Sequence, residues 1–243
     1  MSFWSSLSWC LAGLTFCVAA TAATSGAADL LSRARAGDAV AQDQIAWLYR
    51  DGQGGLPPDP VQALAWYRKA ADQGNADALA SLGFMYESGT GGLPKNEVRA
   101  AELYRKAAAQ GDAFAQAQLG YFYDDGRGGI RKDPVQAAAL FRKAADQGDA
   151  DAQNWIGVYY QHGRGGLARD NTKAMVWYRK AAAQGDRLAA SNVYALEHPP
   201  AANAGNARSG GGNTFCPWGL PDGLGGCINN GRSVDPTTGK PLY

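Results

Sequence analysis

The 243-residue chain has few histidines, few cysteines and almost no net charge. Its 23 Lys and Arg residues against 22 Asp and Glu residues give +1, which supplies no overall field to hold a phosphate backbone, so we expect no nucleic-acid partner. With two histidines, four cysteines and no His-Glu-x-x-His or Gly-x-Ser-x-Gly string, the sequence offers few nucleophile–base pairs or metal-ligand sets. We therefore expect no enzymatic activity, no metal site and no cofactor.

The chain also lacks an apolar run long enough to cross a membrane. Residues 7–20 form an uncharged, mostly apolar stretch, whereas a transmembrane helix takes about 20 residues. Small residues follow at Ala20 and Ala22, as a signal peptidase requires, which predicts a signal peptide over 1–22 and a periplasmic or secreted protein without a transmembrane span after its removal. An uncleaved anchor is the alternative, because no Lys or Arg precedes the run.

Export would leave Cys216 and Cys227 as the cysteines of the mature chain. In an oxidising compartment this pair is expected to form a disulfide. Zinc is the competing interpretation, but His162 and His198 are not at metal-ligand spacing with the cysteines. Residues 199–212 are rich in Pro, Ala, Asn, Ser and Gly, which predicts a flexible linker. Residues 213–243 are predicted to form a short irregular Gly-rich tail that the disulfide stabilises. The tail either docks on the preceding helices or forms a separate contact element, and both interpretations stay open.

What the sequence does contain is a repeat of 37 residues. It relates the glycines at positions 37, 74, 111, 148 and 185, and the tyrosines at 49, 86, 123 and 160. A fixed period of this size is typical of a solenoid, whose units bury their apolar faces by stacking on one another.

Each unit reads as a helical hairpin. A first apolar stripe at helical spacing predicts helix A, as in Ala41, Ile45, Leu48 and Tyr49. A second stripe predicts helix B, as in Ala63, Trp66, Tyr67 and Ala70. N-cap residues are expected before helix A at Asp38, Asn75, Asp112, Asp149 and Asp186, and before helix B at Asp59 and Asp133. Glycines are expected to end helix A at Gly52, Gly89, Gly126 and Gly163.

The unit DADAQNWIGVYYQHGRGGLARDNTKAMVWYRKAAAQG resembles the Sel1-like repeat, a relative of the tetratricopeptide repeat. The resemblance covers four units, 38–74, 75–111, 112–148 and 149–185, within a solenoid of residues 28–198 that has half-units at both ends. It implies an all-α fold, a right-handed superhelix of helical hairpins. It also implies that the A helices line a concave surface that holds a segment of a protein partner.

Helix geometry at about 100° per residue predicts which side chains of the A helices face solvent, opposite the core stripe. These groove candidates are Val40, Asp43, Trp47, Arg50, Asp77, Phe84, Glu87, Phe114, Tyr121, Asp124, Asp151, Asn154, Val158 and Gln161. They include five acidic residues and one arginine around an aromatic centre, which predicts a partner with a basic and apolar segment. Alternatively, the rings of Trp47, Phe84 and Tyr121 pack between neighbouring A helices.

A further recurrence concerns small residues inside helix A. Gly83, Gly120 and Gly157, with Ala46 in the first unit, are expected to let two helix backbones approach.

Together these features predict a non-enzymatic protein-binding scaffold or adaptor of the bacterial cell envelope. The alternatives place the activity in the tail: an envelope hydrolase resembling a β-lactamase, or a cell-wall glycan binder that uses Phe215 and Trp218.

Overall fold

The structure, a computed structural model, describes residues 26–199, 220–221, 227–229 and 232–234. The predicted signal peptide, the linker beyond residue 199 and Cys216 lie outside these ranges. The chain forms two compact units, Met1–His198 and Pro199–Tyr243. No helix within the described residues is both long and apolar enough to cross a membrane.

The first unit is a stack of helical hairpins, so the predicted all-α solenoid is confirmed. Residues 26–35 form helix α1. The A helices are α2 (Ala39–Asp51), α4 (Ala76–Ser88), α6 (Ala113–Asp125), α8 (Ala150–His162) and α10 (Arg187–Glu197). The B helices are α3 (Pro60–Asp72), α5 (Glu97–Ala109), α7 (Pro134–Asp146) and α9 (Asn171–Ala183). Each helix packs mainly on the helices before and after it in the chain, as expected for a solenoid.

The predicted helix caps are present. The Asp112 carboxylate accepts a hydrogen bond from the backbone N–H of Ala115 at 2.6 Å, and Asp133 accepts from two N–H groups at the start of α7. These bonds satisfy amide groups that have no partner within the helix. At the other end of α6, Gly126 adopts a left-handed conformation with φ of 75°, which favours glycine. Local chemistry therefore sets the length of each helix.

The core lies between the A and B helices and is built around buried aromatic rings. Phe141 of α7 is fully buried, and a Cβ atom added to Gly120 of α6 would lie only 2.8 Å from its ring. Gly83 and Gly157 face the rings of Tyr104 and Tyr178 in the same way. The expectation of a close approach between helix backbones is therefore wrong, since each glycine makes room for an aromatic side chain.

Buried glutamines link successive hairpins, a feature that the sequence analysis did not predict. Gln153 of α8 is buried, and its side-chain amide donates to the carbonyl oxygen of Ala145 at the end of α7. Its own oxygen accepts from the side chain of Gln184 at 2.9 Å, and Gln147 donates to Gln116 at 2.8 Å in the preceding unit. These bonds give the recurring Gln-Gly string a structural role, because a buried amide needs hydrogen-bond partners.

The second unit contains a small antiparallel sheet of β1 (Leu220–Pro221), β2 (Cys227–Asn229) and β3 (Arg232–Val234) in that order. In β2, Cys227 pairs in register with Pro221 on one side and with Val234 on the other. The prediction of an irregular tail is therefore wrong over these residues. The disulfide with Cys216 stays a prediction, because Cys216 lies outside the described residues.

Candidate protein-binding surface

The A-helix face is the surface of α2, α4, α6 and α8 that carries the predicted groove residues. Three aromatic side chains stand exposed on successive A helices: Trp47 on α2, Phe84 on α4 and Phe114 on α6, with 45%, 44% and 39% of their surface exposed. Val40 of α2 is also exposed. We call Trp47, Phe84 and Phe114 the aromatic row. Exposed apolar side chains gathered on one face are typical of an interaction surface.

Phe84 satisfies both interpretations left open by the sequence. Its ring lies edge-on to that of Phe114 on the next A helix, with 6.4 Å between the ring centroids, yet it remains substantially exposed. Phe114 in turn lies 6.3 Å from the buried ring of Tyr104. Phe84 and Phe114 are thus held in place by edge contacts while part of their surfaces stays open.

Tyr121, by contrast, belongs to the packing between helices. Its ring centroid lies 5.1 Å from Phe141 on α7 and 5.5 Å from Trp155 on α8. Burial raises the pKa of its hydroxyl far above the ordinary tyrosine value. Val158, which holds the same repeat position on α8, is half-buried against the same apolar cluster. The aromatic row therefore consists of Trp47, Phe84 and Phe114, and Tyr121 is not a member of it.

The acidic groups at the carboxyl ends of the A helices are neutralised by other residues of the chain. Glu87 accepts hydrogen bonds from Tyr104 Oη at 2.8 Å and from Arg127 Nη2 at 2.9 Å. Asp124 accepts from Tyr159 Oη at 2.6 Å and from Arg164 Nη2 at 2.8 Å. The sequence analysis counted five acidic residues and one arginine as free charges on this face. That count is wrong for Glu87 and Asp124, because both are paired with arginines.

Two predicted groove residues are not on the surface at all. Asp124 and Asn154 are buried, and Asn154 accepts a hydrogen bond from Asn192 of α10 at 2.9 Å. Gln161 is half-buried and accepts from the Tyr178 hydroxyl at 2.5 Å. Arg50 is exposed but bound to its neighbour Asp51, with 2.7 Å between Nε and Oδ1. Asp124, Gln161 and Arg50, at the carboxyl ends of their helices, are therefore satisfied within the chain, and so is Asn154 nearer the amino end of α8.

The sequence analysis did not predict the two arginines that neutralise these carboxylates. Arg127 and Arg164 follow α6 and α8, respectively, in equivalent turns, and each reaches 40 residues back to the preceding A helix. A signal was present, because the two arginines are themselves one repeat apart. The Arg127 guanidinium also binds Glu97 at the start of α5, and this pairing lowers the pKa of the Glu97 carboxyl.

The other end of the face carries an acidic edge. It consists of Asp43, of Asp77 and Asp151 in the first turns, and of the capping residues Asp112, Asp149 and Asp186. Among the residues that the structure describes, no Lys or Arg lies within ion-pair distance of these six carboxylates. The sequence analysis treated the three capping residues as structural alone, although their recurrence every 37 residues placed them in one row.

Burial, together with neighbouring carboxylates, raises the pKa values of three members of the acidic edge: Asp43, Asp112 and Asp151. Burial, followed by the charge of Asp77, raises the pKa of Asp43 to about 6, and Arg50 opposes this only in part. Burial and the side chain of Asp77 raise the pKa of Asp112, and burial with the charge of Asp149 raises that of Asp151. The acidic edge is therefore a surface on which negative charges are crowded and partly desolvated.

Within the described residues, no group of three or more His, Cys, Asp or Glu side chains could hold a metal. The neighbouring Asp124 and Asp125 do not act together, since Asp124 is buried in its pair with Arg164 and Asp125 is exposed.

Comparison with known proteins gives the family. The Sel1 repeat family model matches residues 39–75, 76–112, 113–149 and 150–186, one residue later than the units drawn from the sequence. The crystal structure of c5321, a protective antigen of uropathogenic Escherichia coli with an SLR fold, is 34% identical, with a TM-score of 0.63 over 71% of this chain and 36% of that one. A Sel1 repeat protein from Oxalobacter formigenes is also 34% identical, with a TM-score of 0.62 over 71% of this chain and 49% of that one.

The chain thus spans about a third and about half of the lengths of these two proteins. None of the curated proteins compared with it matches. Four consecutive repeat matches cover more than half of the chain, and the stacked hairpins provide the corresponding fold. The chain belongs to the Sel1 repeat family, whose members are generally non-enzymatic scaffolds for protein–protein interaction.

Proposed function

We propose that this protein is a non-enzymatic scaffold that binds a segment of another protein across its A-helix face. The main observation in support of this proposal is the exposure of the aromatic row. Trp47, Phe84 and Phe114 lie on three successive A helices with 39–45% of their surfaces exposed, although rings of this size gain from burial. Aromatic side chains at the centre of an interface commonly dominate its binding energy.

The spacing of the helices indicates the length of the bound segment. Taking about 10 Å between successive A helices, the A-helix face from α2 to α8 is roughly 30 Å long. An extended peptide covers that distance with about nine residues.

The site of action in this proposal is the bacterial cell envelope, either the periplasm or the exterior. The apolar run at residues 7–20 and the small residues after it support export. Mass spectrometry of protein recovered from the exported fraction is expected to find a chain that begins at residue 23. A chain that retains residues 1–22 in that fraction would contradict cleavage.

The binding surface is tested by truncating two members of the aromatic row, Trp47→Ala with Phe84→Ala. Truncation of such anchors often costs about 2 kcal/mol or more, or roughly 30-fold in affinity, so cross-linked capture of envelope proteins should be lost. Circular dichroism should stay nearly unchanged, because both side chains are exposed.

Matched control residues stand on the B helices. Val61 and Val135 are 61% and 58% exposed, so Val61→Ala with Val135→Ala removes apolar surface away from the A-helix face. This control should capture the same proteins as the wild type. Equal capture by the aromatic double variant would place the binding surface elsewhere.

A further inference from the structure

The A-helix face is electrostatically divided into two sides. At the carboxyl ends of the A helices, Glu87 and Asp124 already have arginine partners within the chain. At the amino ends, the carboxylates of the acidic edge have none among the described residues. A positively charged partner would therefore find unmatched charge on one side only.

Asp43 is the clearest example of an acidic-edge residue without a Lys or Arg partner among the described residues. Its Oδ1 atom is shielded from solvent and has no hydrogen-bond partner within the described structure. The Asp43 side chain is only half-buried, so a guanidinium or ammonium group that reaches its exposed part meets a carboxylate whose charge no donor offsets at Oδ1. Asp43 also precedes Trp47 by four residues on α2, so both side chains lie on the same side of that helix.

The acidic edge and the aromatic row each have a member on α6 or at its start. Phe114 lies two residues after the capping Asp112, and its ring contacts that of Phe84 on α4. Burial, followed by the side chain of Asp77 on α4, raises the pKa of the Asp112 carboxyl. Exposed rings and carboxylates without a Lys or Arg partner among the described residues are therefore found on the same three A helices, α2, α4 and α6.

From this arrangement we propose, resting on the proposed function, that the partner places Arg or Lys side chains along the acidic edge and apolar side chains on the aromatic row. An extended segment that alternates basic and apolar residues fits two parallel rows, because successive side chains of an extended chain point to opposite sides. The binding energy from charge comes from Asp43, Asp77 and their neighbours. Glu87 and Asp124 contribute none, since their charges are already matched.

The test uses the full chain and a fluorescein-labelled peptide of about nine residues that alternates Arg and Leu, with binding followed by fluorescence anisotropy. A second peptide carries Ser in place of each Arg. The variant Asp43→Asn with Asp77→Asn removes two charges from the acidic edge. The matched control, Asp72→Asn with Asp146→Asn, removes two exposed charges from the ends of the B helices.

The acidic-edge variant is expected to bind the Arg–Leu peptide about tenfold more weakly than the wild type, while the control variant binds it unchanged. Raising salt from about 0.05 M to about 0.5 M should weaken wild-type binding clearly and that of the acidic-edge variant much less. Equal affinities for the two variants would overturn the inference.

The two proposals fail in different ways. If the acidic-edge variant equals the control but Trp47→Ala with Phe84→Ala abolishes binding of the Ser–Leu peptide, the proposed function stands and the inference is wrong. If the wild type binds neither peptide, both are wrong.

Discussion

The substitution Gly120→Ala tests whether the repeated glycine of the A helices is required by an aromatic ring. A Cβ atom at position 120 would lie 2.8, 2.9 and 3.1 Å from three atoms of the Phe141 ring. Ordinary carbon–carbon contacts are about 3.5–4.0 Å, so the ring would have to move by roughly half an ångström or more. We therefore expect the substitution to destabilise the solenoid.

The surroundings of Phe141 set the size of the effect. The ring is fully buried, and the rings of Tyr121, Trp155 and Tyr159 have their centroids 5.1, 5.7 and 5.8 Å from its own. Such an enclosed ring places the overpacking cost near the upper end of the usual range of about 1–3 kcal/mol. Replacing glycine by alanine inside a helix stabilises the helix by about 1 kcal/mol, because alanine has the higher helix propensity. The net loss is about 2 kcal/mol.

Thermal unfolding followed by circular dichroism measures this loss. For a chain of this size, about 2 kcal/mol lowers the Tm by roughly 4–8 °C. The double variant Gly120→Ala with Phe141→Leu should be more stable than Phe141→Leu alone, because leucine leaves room for the added methyl group. A Tm that rises by several degrees in Gly120→Ala would refute the reasoning, since helix propensity would then outweigh the contact.

Two other predictions concern the A-helix face. Because the pKa of Asp43 is about 6 in the folded chain against an ordinary 3.8, its contribution to stability is present below about pH 4 and is lost as the pH rises through about 6. Asp43→Asn should therefore raise the free energy of unfolding in urea by about 1–2 kcal/mol at about pH 7.5, after allowance for its partial exposure, and leave it unchanged near pH 4; an equal effect at both pH values would contradict the assignment. Tyr121→Ala should cost about 2–4 kcal/mol, because it removes a ring packed between helices, whereas Phe84→Ala should cost less than about 1 kcal/mol. Similar Tm shifts for these two variants would show that Tyr121 is not a packing residue.

The sequence by itself determined the elements of the fold. The 37-residue period and the apolar stripes gave paired helices, and the N-cap residues and glycines gave their ends. Asp112, for example, caps α6 through a bond that spans three residues, and Gly126 ends the same helix. These features depend on contacts within one helical turn, which the order of residues alone defines. The same local order identified the exposed members of the aromatic row.

Only the tertiary structure decided which of the surface residues are free to bind. The angular position of a residue on its helix shows the direction of its side chain but not what lies in that direction. Glu87 and Asp124 were placed correctly at one end of the A-helix face, yet each meets an arginine from a turn 40 residues away. Tyr121 was placed at the centre of the face, yet Trp155 of the next A helix lies against it. Burial and charge pairing depend on neighbours that stacking brings together, which is why the positions of the helices could be predicted from the sequence and the net charge of their common face could not.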